Sequence, residues 1–302
     1  MKILITGANG LLGQKLVSLL QQQPEVALMA TSRGNCRIKD LGHGSFHSLD
    51  VTKEEEVLTT FARLQPEVVI HTAAMTQVDD CELNPEACIK ANIGAVKNVV
   101  AGCRQVKAHL VHLSTDFIFD GSAGPLTEEA APNPVNFYGE TKLQAEEIIK
   151  QADIGWAIAR TVLVYGVVPG LSRSNIILWV KENLENKKNI KVVDDQWRTP
   201  TLAEDLALGC WLMAKKKATG VYNISGKDML TPYAMAQMVA DYFALDNRYI
   251  TRADSATFSQ PAKRPPKTGF VIEKARQELG YQPHSFAEGI EIIARQIKEG
   301  AG

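Results

Sequence analysis

The segment TGANGLLG, residues 6–13, sets three glycines, Gly7, Gly10 and Gly13, between the apolar run KILIT and the helically spaced stretch LLGQKLVSLLQQQ. Glycine at such a turn adopts dihedrals closed to other residues and lets backbone approach a pyrophosphate, which then rests on the helix N-terminus. G-x-x-G-x-x-G is weak evidence alone and strong evidence at the first strand-to-helix turn of an alternating series. That series continues with VALMATSR, TKEEEVLTTFARL, EVVIHTAA, NPEACIKANIGAVKNVVAGCRQ, HLVHLSTDFIF, NFYGETKLQAEEIIKQ and WAIARTVLVYG. Strands that are apolar throughout indicate a parallel sheet covered on both faces. We therefore expect an α/β fold: a doubly wound parallel Rossmann sheet over residues 1–165 and a smaller C-terminal α/β lobe over 166–302. Parts of 193–226 are expected to return to the first unit. Ligands of such a sheet sit beyond the carboxyl ends of its strands.

Gly7, Asn9, Gly10, Leu11, Leu12 and Gly13 make up the candidate dinucleotide cradle. An NAD site usually carries an acid about 20 residues past the glycines, at the end of the second strand. Here that strand ends ATSRGNCRIK, with no acid before Asp40. Arg33 takes the place, with Ser32 and Arg37 beside it, and an arginine there suits a ribose 2′-phosphate. NADPH is thus the expected cofactor and NADH the second option; a plain surface arginine is the competing reading. Asp50 and Val51, in LDVT, are candidates to line the adenine, and Thr72, Ala73 and Ala74, in HTAA, the middle of the cofactor.

A formal net charge of -1 advertises no nucleic-acid or acidic-membrane partner. The first ten residues, MKILITGANG, lack the apolar length of a signal peptide, and no segment is long enough to span a bilayer, so a cytoplasmic protein is expected. Five widely spaced cysteines, Cys36, Cys81, Cys88, Cys103 and Cys210, without C-x-x-C, argue against a disulfide framework and a zinc site. Each is expected to be a small core residue, and no metal ligands are assigned.

Tyr138 and Lys142, in FYGETK, stand one helical turn apart on one face. A phenol titrates near about 10 unperturbed, and a neighbouring ammonium brings it toward working range as a proton donor. A hydroxyl of Ser114 or Thr115, at the end of a strand, would face the same crevice.

The ordered set GANGLLG, LDVT, HTAA, STD (114–116) and YGETK (138–142) resembles the extended short-chain dehydrogenase/reductase family over nearly the whole chain. The resemblance implies Tyr138 as general acid/base, Lys142 lowering its pKa and holding the nicotinamide ribose, and Thr115 binding the reacting oxygen. Asn92 matches a helix asparagine near such sites, and capping or packing explains it equally well. The segments HTAAMTQVDDCELNPEACIKANIGAVKNV, LSTDFIFDG and DQWRTPTLAEDLA resemble the dTDP-4-dehydrorhamnose reductase branch. That branch implies NADPH-dependent reduction of a C4 keto group on a nucleotide-diphosphate 6-deoxy-sugar; homodimers are common in the family. Asp116 and Arg264 are candidate substrate contacts, the latter because guanidinium suits a diphosphate. The alternatives are a nucleotide-sugar epimerase or dehydratase, or a non-catalytic NADP-binding regulatory subunit like the methionine adenosyltransferase β-subunit.

Overall fold

Ile3, Leu4 and Ile5 are all fully buried, although successive side chains of a strand point to opposite faces. Both faces of the first strand are therefore covered. Ile3 and Ile5 pack with Leu16, Leu20, Leu206 and Cys210, whereas Leu4 packs with Val57, Phe61, Val99 and Cys103. Burying each such side chain contributes about 1.5–3 kcal/mol.

The computed structural model describes residues 1–170 and 175–300. Its first part runs β1 (Lys2–Thr6), α1 (Leu11–Leu20), β2 (Ala27–Ser32), β3 (Ser45–Ser48), α2 (Glu54–Leu64), β4 (Val68–His71), α3 (Val78–Leu83), α4 (Pro85–Ile89), α5 (Ala95–Val106), β5 (His109–Thr115), α6 (Phe137–Lys150) and β6 (Trp156–Thr161). It continues with β7 (Val164–Tyr165), α7 (Ile176–Glu185), β8 (Ile190–Val193), β9 (Thr201–Leu202), α8 (Ala203–Lys216), β10 (Gly220–Asn223), α9 (Pro232–Tyr242), β11 (Ile250–Ala253) and α10 (Phe286–Lys298). The main sheet has seven strands in the order β10-β6-β5-β4-β1-β2-β3, and every pair is parallel. This is the doubly wound sheet that the alternating pattern implies. α8 and β10 belong to it, while α7, α9 and α10 enclose a second apolar cluster with β8 and β11. No helix among the described residues is long and apolar enough to cross a membrane.

The strand order reverses beside β1, which lies between β2 and β4. There the backbones crowd. Gly7 has φ +72°, and a Cβ on it would come within 2.8 Å of Ala73 N, just past β4. A Cβ on Gly13 would overlap the Gly7 carbonyl oxygen and lie 2.6 Å from Ala8 Cα. These two glycines let α1 and β4 close on the first turn, which opens the ligand crevice at this edge.

Three features differ from the sequence reading. WAIARTVLVYG is not one strand: Leu163 takes φ +37°, dividing β6 from β7, and β7 pairs with β9 outside the main sheet. The long helical run after Asn84 is interrupted by a π-helical turn, Lys90–Gly94, which carries the buried Asn92. The expectation of five unpaired cysteines is corrected, because Cys81 and Cys88 are joined as a disulfide. α3 and α4 meet end to end at Asn84 and bring the two Cα atoms to 5.1 Å, inside disulfide range. Cys36, Cys103 and Cys210 remain free.

Gly13→Ala places a methyl group against the Gly7 carbonyl and is expected to destabilise the fold by about 1–3 kcal/mol, as overpacking does. Urea unfolding followed by circular dichroism reads the loss directly; an unchanged midpoint would contradict the close approach.

Candidate active site

At the glycine turn, the N-cap of α1 is Gly10, which brings no side chain to the helix end. The first amide N–H groups, at Leu11 and Leu12, are thus left for an anion. Gly10 N donates to Gly7 O at 2.9 Å, closing the turn. Asn9 is buried beside it, accepting from Arg37 N and donating to Asn35 O, both at 2.9 Å. It fastens the loop after β2 to the turn. Ser32 ends β2, and the exposed Arg33 follows it, close enough to Asp50 to favour that carboxylate. Burial pushes Asp50 up, but the hydrogen bonds from Thr52 together with the charges of Arg33 and Lys53 leave the group below its ordinary range. Thr72 donates to Thr6 O at 2.7 Å, setting Ala73 and Ala74 past the end of β4. The expected cofactor residues of the first half of the site, Val51 included, therefore gather at the carboxyl ends of β1 to β4, with Ser32 the last residue of β2. Backbone donors, two places where only glycine fits and a cation past β2 suit a phosphorylated dinucleotide. Among the described residues no cluster of His, Cys, Asp or Glu could hold a metal ion.

The second half of the site is carried by α6. Its N-cap, Asn136, accepts from Gly139 N at 2.8 Å and donates to Lys263 O at 2.8 Å. A Cβ on Gly139 would overlap the Phe117 carbonyl oxygen, so only glycine lets the helix start seat directly behind Thr115. Tyr138 packs with Cys81 and Cys88 and meets Phe117 edge-on at 5.9 Å. One turn later, Lys142 is buried; its Nζ donates to Leu113 O at 2.6 Å and lies 3.2 Å from His112 Nε2. Burial lowers its pKa to about 8, against the opposing pull of Glu146.

Thr115 ends β5, and its hydroxyl accepts from Phe117 N at 3.2 Å and donates to Asp116 at 3.1 Å. Ser114 faces the other way and donates to Glu146 at 2.6 Å. Strand alternation thus places Ser114 under α6 and Thr115 at the strand end, within one strand turn of Lys142's carbonyl partner. Glu146 also accepts from Arg160 Nε at 3.0 Å and Nη2 at 2.8 Å, with both residues buried. Burial, the largest single influence, opposes the Glu146 charge, but Arg160, Ser114 and Lys150 together outweigh it and hold the carboxyl below its ordinary range.

The remaining candidates are placed differently. Asn92 is buried: it accepts from Met75 N at 2.8 Å and donates to Met75 O and Thr141, which ties the segment after β4 to α6. Asp116 is buried under Thr115, bonded also by Thr268 and 3.8 Å from Arg198; burial raises its pKa. Arg264 closes its fork on Asp79 at 2.6 and 2.7 Å, which holds that carboxylate below its usual range. It also lines a cleft of about 400 Å³ with Asp120, Val135, Gln196 and Lys263. Sequence reasoning missed Asn136, Glu146, Arg160, Arg198 and His112. Asn136 had a local signal, an asparagine immediately before a helical run; the others depend on contacts across strands.

A family model described as "RmlD substrate binding domain" matches residues 1–299. The β-subunit of methionine adenosyltransferase 2 from Rattus norvegicus is 32% identical over 82% of this chain and 74% of its own length. A dTDP-4-keto-6-deoxy-D-glucose reductase from Streptomyces niveus is 31% identical over 93% of this chain and 91% of its own. Among solved structures, a dTDP-4-dehydrorhamnose reductase from Clostridium acetobutylicum has a TM-score of 0.87 at 30% identity, covering 99% of this chain and 100% of that one. A second, from Bacillus anthracis in complex with NADP, has a TM-score of 0.82 at 25% identity, covering 98% and 99%.

Removing Glu146 strands the Arg160 guanidinium in the interior. Glu146→Ala is expected to cost about 3–5 kcal/mol at neutral pH, as breaking buried pairs does. Because the folded-state pKa is depressed, the contribution of Glu146 is complete above the ordinary carboxylate pKa and fades as pH falls through the folded value. Denaturant unfolding of both proteins at neutral and acid pH should show the gap narrowing in acid.

Proposed function

Because the chain belongs to the RmlD substrate binding domain family, we propose that it reduces the C4 keto group of a nucleotide-diphosphate 6-deoxy-sugar with NADPH. The reaction is the one named for its dTDP-4-dehydrorhamnose reductase neighbours. The observation that carries this reading is the seating of α6. It brings a buried ammonium, Lys142, to the strand that ends in Thr115, with Tyr138 one turn away on the same helix. Residues 1–165, with α8 and β10, form the cofactor unit in this proposal, and the rest of 166–302 forms the substrate unit. It also takes the protein to be a cytoplasmic homodimer, the latter by family resemblance alone.

In this reading Gly7, Gly10, Gly13 and the N-terminus of α1 hold the pyrophosphate, and Arg33 with Ser32 holds the ribose 2′-phosphate. NADPH, when bound, supplies the hydride. Tyr138 gives its phenolic proton to the C4 oxygen as that oxygen gains charge. Lys142 stabilises the resulting phenolate and so makes the phenol a better donor at neutral pH. When substrate binds, Thr115 turns its one O–H from Asp116 to the same oxygen while Phe117 N still holds its hydroxyl oxygen, which fixes the carbonyl plane. The cleft beside Gln196 and Lys263 is proposed to receive the nucleotide end of the substrate.

The identity to methionine adenosyltransferase β-subunits favours a second reading, an NADP-binding subunit without turnover. Absorbance of the reduced nicotinamide, followed with dTDP-4-keto-6-deoxy-L-lyxo-hexose and purified protein, separates the two. Turnover is expected; tight NADPH binding with none on any keto-sugar would favour the second reading. Tyr138→Phe should lower turnover by about 10²–10⁴-fold, the range of a general acid, while NADPH binding stays within a few-fold. Arg33→Ala should weaken NADPH by roughly 10–100-fold, the worth of one charged hydrogen bond, and leave NADH nearly unchanged. Equal losses for both cofactors would remove Arg33 from the 2′-phosphate.

A further inference from the structure

A line of polar side chains crosses the sheet beneath the α6 seat, at registered positions of three neighbouring strands. Thr6 of β1 pairs with His71 of β4, and His71 with His112 of β5. All three side chains are buried on the α6 side of the sheet. Thr6 Oγ1 and His71 Nδ1 are 2.6 Å apart, and the two imidazoles stack with centroids at 5.4 Å and 26° between planes. His112 Nε2 then meets Lys142 Nζ at 3.2 Å. Nothing in the proposed proton transfer uses either histidine.

We infer that His112 is a positioning residue for Lys142: its neutral imidazole accepts a hydrogen bond from the ammonium and holds it, charged, within reach of Tyr138. This inference rests on the proposed role of the Tyr138–Lys142 pair. An ammonium has only donors, so His112 Nε2 accepts, and the neutral ring carries its hydrogen on Nδ1. His112 Nδ1 and His71 Nε2 are buried without a hydrogen-bond partner among the described residues. The fold thus accepts an unsatisfied polar atom on each ring, a cost of about 1–3 kcal/mol apiece. An apolar side chain at position 112 would avoid it but would leave Lys142 one acceptor short.

The electrostatics keep the acceptor neutral. Burial, then Lys142, then His71 drive the His112 pKa well below its ordinary value. Burial and Lys142 take His71 to about 3. Around Lys142 itself, Tyr138 and Glu146 lie on its own helix, with Glu146 committed to Arg160 of β6. Asp116 lies past the end of β5, also buried and paired with Arg198. α3 carries Asp79, Asp80 and Glu82, of which Asp79 is paired with Arg264 and Glu82 accepts from Phe137 N; the π-helical turn carries the exposed Lys90. Cys81 and Cys88, joined, do not titrate. With Glu146 and Asp116 each held by an arginine, the two short contacts to Lys142 Nζ are the Leu113 carbonyl and His112.

Removing the acceptor disfavours the charged form, so the Lys142 pKa must fall. NMR of protein labelled at lysine Cε, with Lys142 assigned by its absence in Lys142→Met, reads that titration without substrate. His112→Phe, with His112→Leu alongside to separate crowding from the lost acceptor, should lower the midpoint by about one to two pH units. His112→Gln, whose side-chain oxygen accepts in place of Nε2, should restore it. The alkaline limb of the pH–kcat profile should move down in the first two variants and return in the third. An unchanged midpoint in Phe and Leu, or a uniform loss of rate at every pH, would overturn the positioning role. If the titration shift appears and the wild-type protein turns over no keto-sugar, His112 positions Lys142 as inferred, and it is the proposed reaction that falls.

Discussion

Two contacts set the register of α6, one at its start and one in its third turn. Gly139 rests on the Phe117 carbonyl, where any Cβ would collide. Glu146 is gripped by Ser114 of β5 and by the guanidinium of Arg160 on β6. Thr141 and Lys142 lie between them and Tyr138 immediately precedes Gly139, so the clamp sets the height and rotation of every side chain assigned to proton transfer. A desolvated ion pair is a weak source of net stability, since the desolvation cost offsets much of the attraction. Its worth lies in register: slipping α6 by one residue would leave a carboxylate and a guanidinium unpaired in the interior.

The clamp also ties the two halves of the chain together. Asn136, the α6 cap, donates to Lys263 O, and Asp116 beneath Thr115 is held by Thr268 and Arg198. Arg198 in turn donates to the carbonyls of Pro265 and Pro266. The loop KRPPKT, which lines the cleft, is thereby anchored to the end of β5 through buried, charge-assisted hydrogen bonds. The two parts of the chain are fastened at the residue proposed to hold the reacting oxygen, a geometry suited to keeping reacting groups in one alignment.

Much of the frame was legible because it rests on local rules. Strands buried on both faces announce themselves as unbroken apolar runs, and Gly7 to Gly13 sit at a turn whose position carries the meaning. Helical spacing puts Tyr138 and Lys142 on one face, but it is their place in the ordered set of motifs that gives the pair its meaning. Other features depend on which strands become neighbours. His112 and His71 look like ordinary strand residues until β4 and β5 pair in register, and Glu146 looks like a surface acid until Arg160 arrives from β6. The Cys81–Cys88 pairing escaped because cysteine counting weighs frameworks, while this link depends on two short helices meeting at Asn84–Pro85. Arg264 was read by its affinity for phosphate, yet a carboxylate of the same chain, Asp79, fits the same fork.

Similarity near 30% both to a reductase and to a methionine adenosyltransferase β-subunit means that overall identity does not discriminate between them. Burial does discriminate. A subunit that only binds a dinucleotide needs the glycine turn, Arg33 and the strand ends, all of which present backbone or exposed cations. Holding the nicotinamide ribose, as the resemblance implies for Lys142, accounts for a lysine there but not for burying it at a cost to its own charge, above two histidines that each leave a nitrogen without a partner among the described residues. Costs of that kind persist where a charged group must stay poised without water. The expense of the Lys142 pocket, set against the cheapness of an apolar alternative, is the physical ground for reading turnover in this chain.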